Sequence, residues 1–130
     1  MSRLLLDTDV VSYLMGGHSL GDAYLPIIEG HPLLITFMTA AELYEGAHRA
    51  RWGPERWRRL ERLLEGYVII QSSRAICRQW GAVRAARRTQ PISAQDAWIA
   101  ATALAEGCPL VTHNASDFRD IPGLQVLTRQ

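Results

Sequence analysis

The chain puts carboxylates where an apolar core segment would otherwise run on. In LLLDTDVV, residues Leu4 to Val11, three leucines lead straight into Asp7, Thr8 and Asp9 before the apolar pattern resumes. A buried carboxylate is costly unless it is paired, hydrogen-bonded or bound to a metal. Three further acids each stand three positions after a residue that can cap a helix: Glu42 in Thr39-Ala40-Ala41-Glu42, Asp96 in Ser93-Ala94-Gln95-Asp96, and Asp117 in Asn114-Ala115-Ser116-Asp117. That is capping-box spacing, and a negative charge in a first helical turn is favourable in any case. One at a time these three read as caps, a reading that does not extend to Asp7. Brought together, the four are an all-oxygen donor set suited to Mg²⁺ or Mn²⁺. A cation held so can lower the pKa of a bound water and orient it toward a phosphodiester.

Whether the acids meet depends on the elements that carry them. Leu4 to Leu6 reads as a short buried strand, and Thr8 to Met15 as a helix that Gly16-Gly17 stops. A second helix is expected from Ser19 to Ile28, a second strand from Leu33 to Thr36, and a helix from Thr39 to about Arg51. Gly53-Pro54 opens a helix over Glu55 to Glu65, with Pro54 suited to its first turn. Tyr67 to Ile70 reads as a strand, Ser72 to about Arg88 as a helix, and Ala94 to Glu106 as an apolar helix closed by Gly107. Strand Leu110 to Thr112, a short helical turn from Asn114 to Phe118 and strand Leu124 to Leu127 complete the chain. Short apolar strands alternating with helices indicate a parallel α/β sheet covered on both faces. Ligands of such sheets bind outside the carboxyl ends of the strands. Asp7, Glu42 and Asp117 each follow a strand by a few residues, so one acidic edge is expected, with a divalent cation relieving its repulsion.

At 130 residues and 48% hydrophobic, the chain suits one domain over residues 1–130. The longest apolar run, Leu33 to Ala41, is broken by two threonines and is too short for a membrane span. The opening residues do not read as a signal peptide, and Cys77 and Cys108 make neither a disulfide framework nor a CxxC site. A cytoplasmic location is the expectation. All fourteen basic residues are arginine. Eleven of them lie between Arg49 and Arg88 against three acids, whereas the rest of the chain holds three arginines against ten acids. The middle is therefore either a surface for a polyanion or acidic partner, or a set of solvated helix faces. The four histidines lack zinc-ligand spacing. His113 alone falls beside the acids and reads as a surface residue, and Trp98 reads as core. Trp57, Leu60, Leu63 and Leu64 have the spacing of a buried helical seam, while Trp52 among its arginines fits three roles that stay open at this point: stacking on unpaired RNA bases, anchoring a protein partner, or packing between helices.

Four blocks in order, LLLDTDVV, ITFMTAAELYEGA (Ile35 to Ala47), PISAQDAWIAATALAEG (Pro91 to Gly107) and LVTHNASDF (Leu110 to Phe118), resemble the PIN-domain ribonucleases, and more narrowly the VapC-type toxins of bacterial toxin–antitoxin pairs. The resemblance implies a three-layer α/β/α sandwich with a central, mainly parallel sheet. It implies a Mg²⁺- or Mn²⁺-dependent endoribonuclease of a type II system acting on tRNA, rRNA or mRNA, a small cognate antitoxin, and a homodimer. Asp7, Glu42 and Asp96 match the family's three principal acids. The fourth place falls to Asp117 or to Asn114; Asp117 is the expected acid, with Asn114 assisting or capping. Thr8 and Thr112 are expected hydroxyl contacts, and Asp9 a supporting charge behind the ligands or at the helix N-terminus. Three rivals remain: a catalytically silent PIN-like module that binds RNA or protein, a haloacid-dehalogenase-type phosphatase, and a receiver-type domain. The absence of any lysine counts against the last two, and no phosphate-binding glycine motif supports a nucleotide cofactor.

Overall fold

The computed structural model describes residues 2–130. Among them, five parallel strands form one sheet in the order β3-β2-β1-β4-β5: β1 Leu4–Leu6, β2 Leu33–Thr36, β3 Val68–Ile70, β4 Leu110–Val111 and β5 Val126–Leu127. The helices are α1 Thr8–Met15, α2 Ser19–Asp22, α3 Leu25–Ile28, α4 Phe37–Arg49, α5 Pro54–Glu65, α6 Arg74–Ala86 and α7 Ala94–Glu106, and a 3-10 turn, Ala115–Phe118, follows β4.

Side chains alternate across the sheet and feed two cores. Leu4 and Leu6 pack with Val10, Val11, Tyr24, Leu43 and Leu60 on one face. Leu5, Leu34 and Leu110 pack with Val83, Ile99, Ala100 and Phe118 on the other. Strands buried on both faces read as continuous apolar runs, which is why LLL and LLI carry no polar alternation. The result is the expected three-layer sandwich.

Several element ends differ by one or two residues from the sequence reading, among them the starts of β3, α5 and β5 and the end of β4, and three larger differences lie in the helices. The segment 19–28 is two short helices, because Pro26 sits in the first turn of α3 and has no N–H to continue the helix before it. Helix α4 starts at Phe37 rather than Thr39: Thr36 is the cap, its Oγ1 accepting from the Thr39 N–H at 3.0 Å. Helix α6 runs only from Arg74 to Ala86, with Ser73 as its cap. Helix α7 runs from Ala94 to Glu106 as expected, capped by Ser93 and closed by Gly107, whose φ of 65° suits a left-handed C-terminal residue.

The split of the second helix lets α2 approach α1 closely. A Cβ on Gly21 would lie 2.9 Å from the Tyr13 carbonyl carbon and 3.0 Å from the Leu14 nitrogen, both of them backbone. Gly21→Ala therefore forces the two helices apart; urea unfolding should show a loss of roughly 1–3 kcal/mol, whereas Gly46→Ala, with open space around it, should cost nothing by this route.

Candidate functional site

The strand order places β1 between β2 and β4, so successive crossovers leave β1 in opposite directions. This is the topological switch point of the sheet, where α/β proteins bind ligands. Asp7 stands at that point. Its backbone N–H donates to the Val111 carbonyl at 2.9 Å. Its Oδ1 accepts from the Thr8 N–H at 2.8 Å, and its Oδ2 from the Thr112 hydroxyl at 2.7 Å. Asp7 is thus the N-cap of α1, which corrects the expectation that capping does not extend to it. A cap needs no burial, however, and Asp7 is only 7% exposed. Burial, and then the charge of Asp9, push its carboxyl from 3.8 to about 7 against the pull of its two hydrogen bonds.

Glu42 lies in the second turn of α4 and is not part of a capping box, because the helix starts earlier than the spacing suggested. A line of hydroxyls reaches it instead. Thr36 Oγ1 donates to Thr39 Oγ1 at 3.4 Å, the Thr39 and Thr8 hydroxyls are 2.9 Å apart, and Thr8 donates to Glu42 Oε1 at 3.1 Å. With the Thr8 proton on Glu42, Thr39 must donate to Thr8, so the line has one direction and ends on the carboxylate. Burial raises the Glu42 pKa, the Thr8 hydrogen bond lowers it, and Asp96 adds to the rise. Thr36 and Thr39 are site residues that the sequence reading does not identify. Their only signal in the sequence is a pair of threonines three apart at a strand end.

Asp96 is half-buried in the first turn of α7, with its N–H donating to the Ser93 Oγ at 3.0 Å. Burial raises its pKa first, then the charge of Asp117. Its field also reaches Asp7, Asp9 and Glu42, so Asp96 is the acid that senses all the others. Asp117 is exposed on the 3-10 turn.

Asn114 does not cap that turn. Its Nδ2 donates to Asp9 Oδ2 at 2.9 Å, the same oxygen takes the His113 N–H at 3.1 Å, and Asp9 Oδ1 takes the Val10 N–H at 2.7 Å. Asp9 is therefore a bracket between α1 and the end of β4, its pKa raised by burial and drawn back by these bonds. The expectation that His113 is a surface residue is also corrected. The residue is half-buried, with Nδ1 2.6 Å from the hydroxyl of the fully buried Tyr24. That hydroxyl also donates to the Thr112 carbonyl at 3.3 Å and accepts from the Arg129 N–H at 3.1 Å. Trp98 is half-buried rather than core, stacked on Trp80 with ring centres 5.2 Å apart.

The structure therefore brings Asp7, Glu42 and Asp96 into one electrostatic group at the carboxyl end of the sheet, with Asp9 behind and Asp117 at the rim. Among the described residues, no three acids, histidines or cysteines stand together as a preformed metal-ligand cage. Mg²⁺ needs none, since it keeps several waters and takes one or two carboxylates. The donor set fits a hard divalent cation on two counts. Each of the acids at the edge offers oxygen, and the carboxyl of Asp7, pushed up to about 7 by burial and then by the charge of Asp9, is a charge whose cost a neighbouring cation would offset.

The PIN domain family model matches residues 4–124. Ribonuclease VapC1 of Haemophilus influenzae strain R2866 is 30% identical over 125 residues, 93% of each protein. VapBC-1 from nontypeable Haemophilus influenzae superposes with a TM-score of 0.83 at 28% identity, over 98% of both chains. VapBC2 from Rickettsia felis, solved with a DNA fragment from its promoter, reaches a TM-score of 0.85 at 23% identity over 98% of this chain and 99% of its own. The chain belongs to the PIN-domain family, in its VapC-type branch. That membership sets aside the haloacid-dehalogenase and receiver readings.

Asp7 makes stability depend on pH in a defined sense. Because its folded-state pKa lies above the unfolded value of 3.8, burying the charge costs nothing below about pH 4, and the cost grows until about pH 7. The gap corresponds to roughly 4 kcal/mol. Urea unfolding in EDTA should therefore show stability falling across that window, and Asp7→Asn should flatten the fall. Added Mg²⁺ should stabilise the parent more at pH 8 than at pH 5.

Proposed function

We propose that this chain is a Mg²⁺- or Mn²⁺-dependent endoribonuclease acting as the toxin of a type II toxin–antitoxin pair. The observation that carries the reading is the Asp7 carboxylate, buried and doubly hydrogen-bonded at the switch point of the sheet, within the field of Asp96. Its relationship to a ribonuclease of the same family, matched over 93% of each protein, supports the substrate class.

Asp7 and Asp96 would hold the cation, with Glu42 and Asp117 completing its surroundings. When bound, a divalent cation supplies Lewis acidity at a phosphate oxygen and makes water a better nucleophile. The chain's own contribution is position and proton traffic. Thr8 and Thr112 fix the two oxygens of Asp7, so no reorganisation is needed when substrate arrives. Glu42 has Oε1 occupied by the Thr8 hydroxyl, which leaves Oε2 to orient a water or accept its proton. Asp9 stays behind, tied by Asn114 and His113.

The partner reading rests on a groove of about 430 Å³ between the end of α1 and α5, lined by Met15, Trp52, Leu60 and Leu63 with Arg56 and Arg59. The Arg56 guanidinium lies 5.9 Å from the centre of the Trp52 ring. An amphipathic antitoxin helix with acidic flanks fits such a floor and rim. The VapBC assemblies among the structural relatives favour this occupant.

The nuclease reading is tested by cleavage of single-stranded RNA. Asp7→Asn and Asp96→Asn should each lower the rate roughly 100-fold or more, and EDTA should abolish cleavage until Mg²⁺ or Mn²⁺ is restored. A folded parent that binds RNA but never cuts it would favour the silent binding module. The partner reading is tested separately. Growth arrest on expression should be relieved by the small open reading frame beside this one, and Trp52→Ala should weaken that relief.

A further inference from the structure

Beside the acidic edge lies a cleft of about 400 Å³ that the chemistry above does not use. It lies between residues 90–93, ahead of α7, and the Ala115–Phe118 turn, and it shares Asp96 and Asp117 with the acid group. Arg87 and Arg119 line it as well.

Arg87 is mounted there firmly. Its Nε donates to the Gln90 carbonyl at 2.7 Å, and its Nη1 donates to the Asp117 and Arg119 carbonyls at 3.2 and 3.1 Å. Carbonyl partners hold a guanidinium in place without neutralising it. Among the described residues, the ion pairs are Arg3–Glu106 and Arg49–Glu45, so no carboxylate pairs with Arg87. Its Nη2 takes no part in these bonds, and its positive charge reaches Asp96. Tying two loops together would account for Arg87 alone. It does not account for Arg119, whose exposed side chain lines the same cleft and donates no hydrogen bond among the described residues.

A strand crossing the acidic edge meets several carboxylates with its own negative backbone. Two arginines beside that edge supply the opposite charge in the geometry that guanidinium offers to phosphate. We propose that this cleft is a phosphate-binding subsite, in which Arg87 and Arg119 hold the backbone of a single-stranded RNA next to the linkage presented to Asp96. The inference rests on the nuclease reading for its substrate class. The cleft has the size of a site for one small ligand group, so it takes one backbone position and not a folded RNA.

The test is fluorescence anisotropy of a labelled single-stranded oligoribonucleotide with the full chain in EDTA, where cleavage plays no part. Arg119→Gln is compared with Arg78→Gln, which removes the same charge from an exposed position on α6 away from the cleft. Arg119→Gln should weaken binding about fivefold or more and reduce the slope of log affinity against log salt by about 0.7, the share of one single-strand phosphate contact. Arg78→Gln should leave both nearly as in the parent. Arg87→Lys keeps the charge but loses the fork and the carbonyl bonds that tie the two loops, so its melting temperature is followed alongside. At a temperature where both variants are folded it should weaken binding in the Arg119→Gln background less than in the parent, since both arginines serve one phosphate. Equal effects from Arg119→Gln and Arg78→Gln, or none from Arg119→Gln, overturn the subsite. If the chain binds RNA with these differences yet never cleaves it in Mg²⁺, the nuclease reading fails and the subsite stands. If it cleaves and the differences are absent, the reverse holds.

Discussion

A carboxylate held out of water at the switch point of a parallel sheet is the constraint on which the rest of this molecule depends. Asp7 is delivered there by a three-residue strand buried on both faces, and its oxygens are fixed by α1 on one side and the end of β4 on the other. The bond from Thr112 to Asp7 therefore joins the ends of two paired strands, β1 and β4, whose connections diverge at the site. Neither bond cancels the cost of burial, since the carboxyl still sits near pH 7. Positive charge brought to this point by a cation would convert the cost into affinity, and this is the physical link between fold and proposed chemistry.

Around Asp7 the supporting contacts divide into two brackets. The threonine line from Thr36 through Thr39 and Thr8 ends on Glu42 and ties α4 to α1. On the other side, Asp9 ties α1 to the end of β4 through His113 and Asn114, and the Tyr24 hydroxyl ties that strand end to the chain at Arg129. Apart from Glu42 and Tyr24, both brackets are built from short side chains and backbone groups with little rotamer freedom to lose. Asp117, on the 3-10 turn, is the exposed acid, and Asp96 approaches from α7 half-buried, as Glu42 is. The site thus has a fixed wall and an accessible one.

Much of this was legible in the sequence because local rules decided it. The apolar triplets before Asp7 and Glu42 announced buried parallel strands, and Ser93 and Gly107 marked both ends of α7. The misreadings arose where two local signals competed or where the answer was tertiary. Thr36 and Thr39 both have cap chemistry, and only the backbone chooses Thr36, which moves Glu42 out of a capping box and into the site. Pro26 splits a helix that apolar spacing alone would run through. Asn114 reads as a cap and serves Asp9 instead, across 105 residues of sequence. The partnership of Tyr24 with His113 spans 89 residues, and no spacing rule reaches that far. The electrostatic asymmetry of the chain was legible in outline. Asp7, Glu42 and Asp96 do come to one sheet edge, whereas the arginine-rich middle sends Arg56 and Arg59 to the groove beside α5 and Arg87 to the cleft, with its other arginines outside both.

The central claim is that the carboxylates at this edge form a divalent-cation site governed by Asp7. Titration of the parent and of Asp7→Asn with Mn²⁺ near neutral pH, following the electron paramagnetic resonance of the free ion, tests it without reference to any substrate. Saturable binding by the parent is expected, with affinity about tenfold or more weaker in the variant. Binding of equal strength in both, or none in the parent, would contradict it.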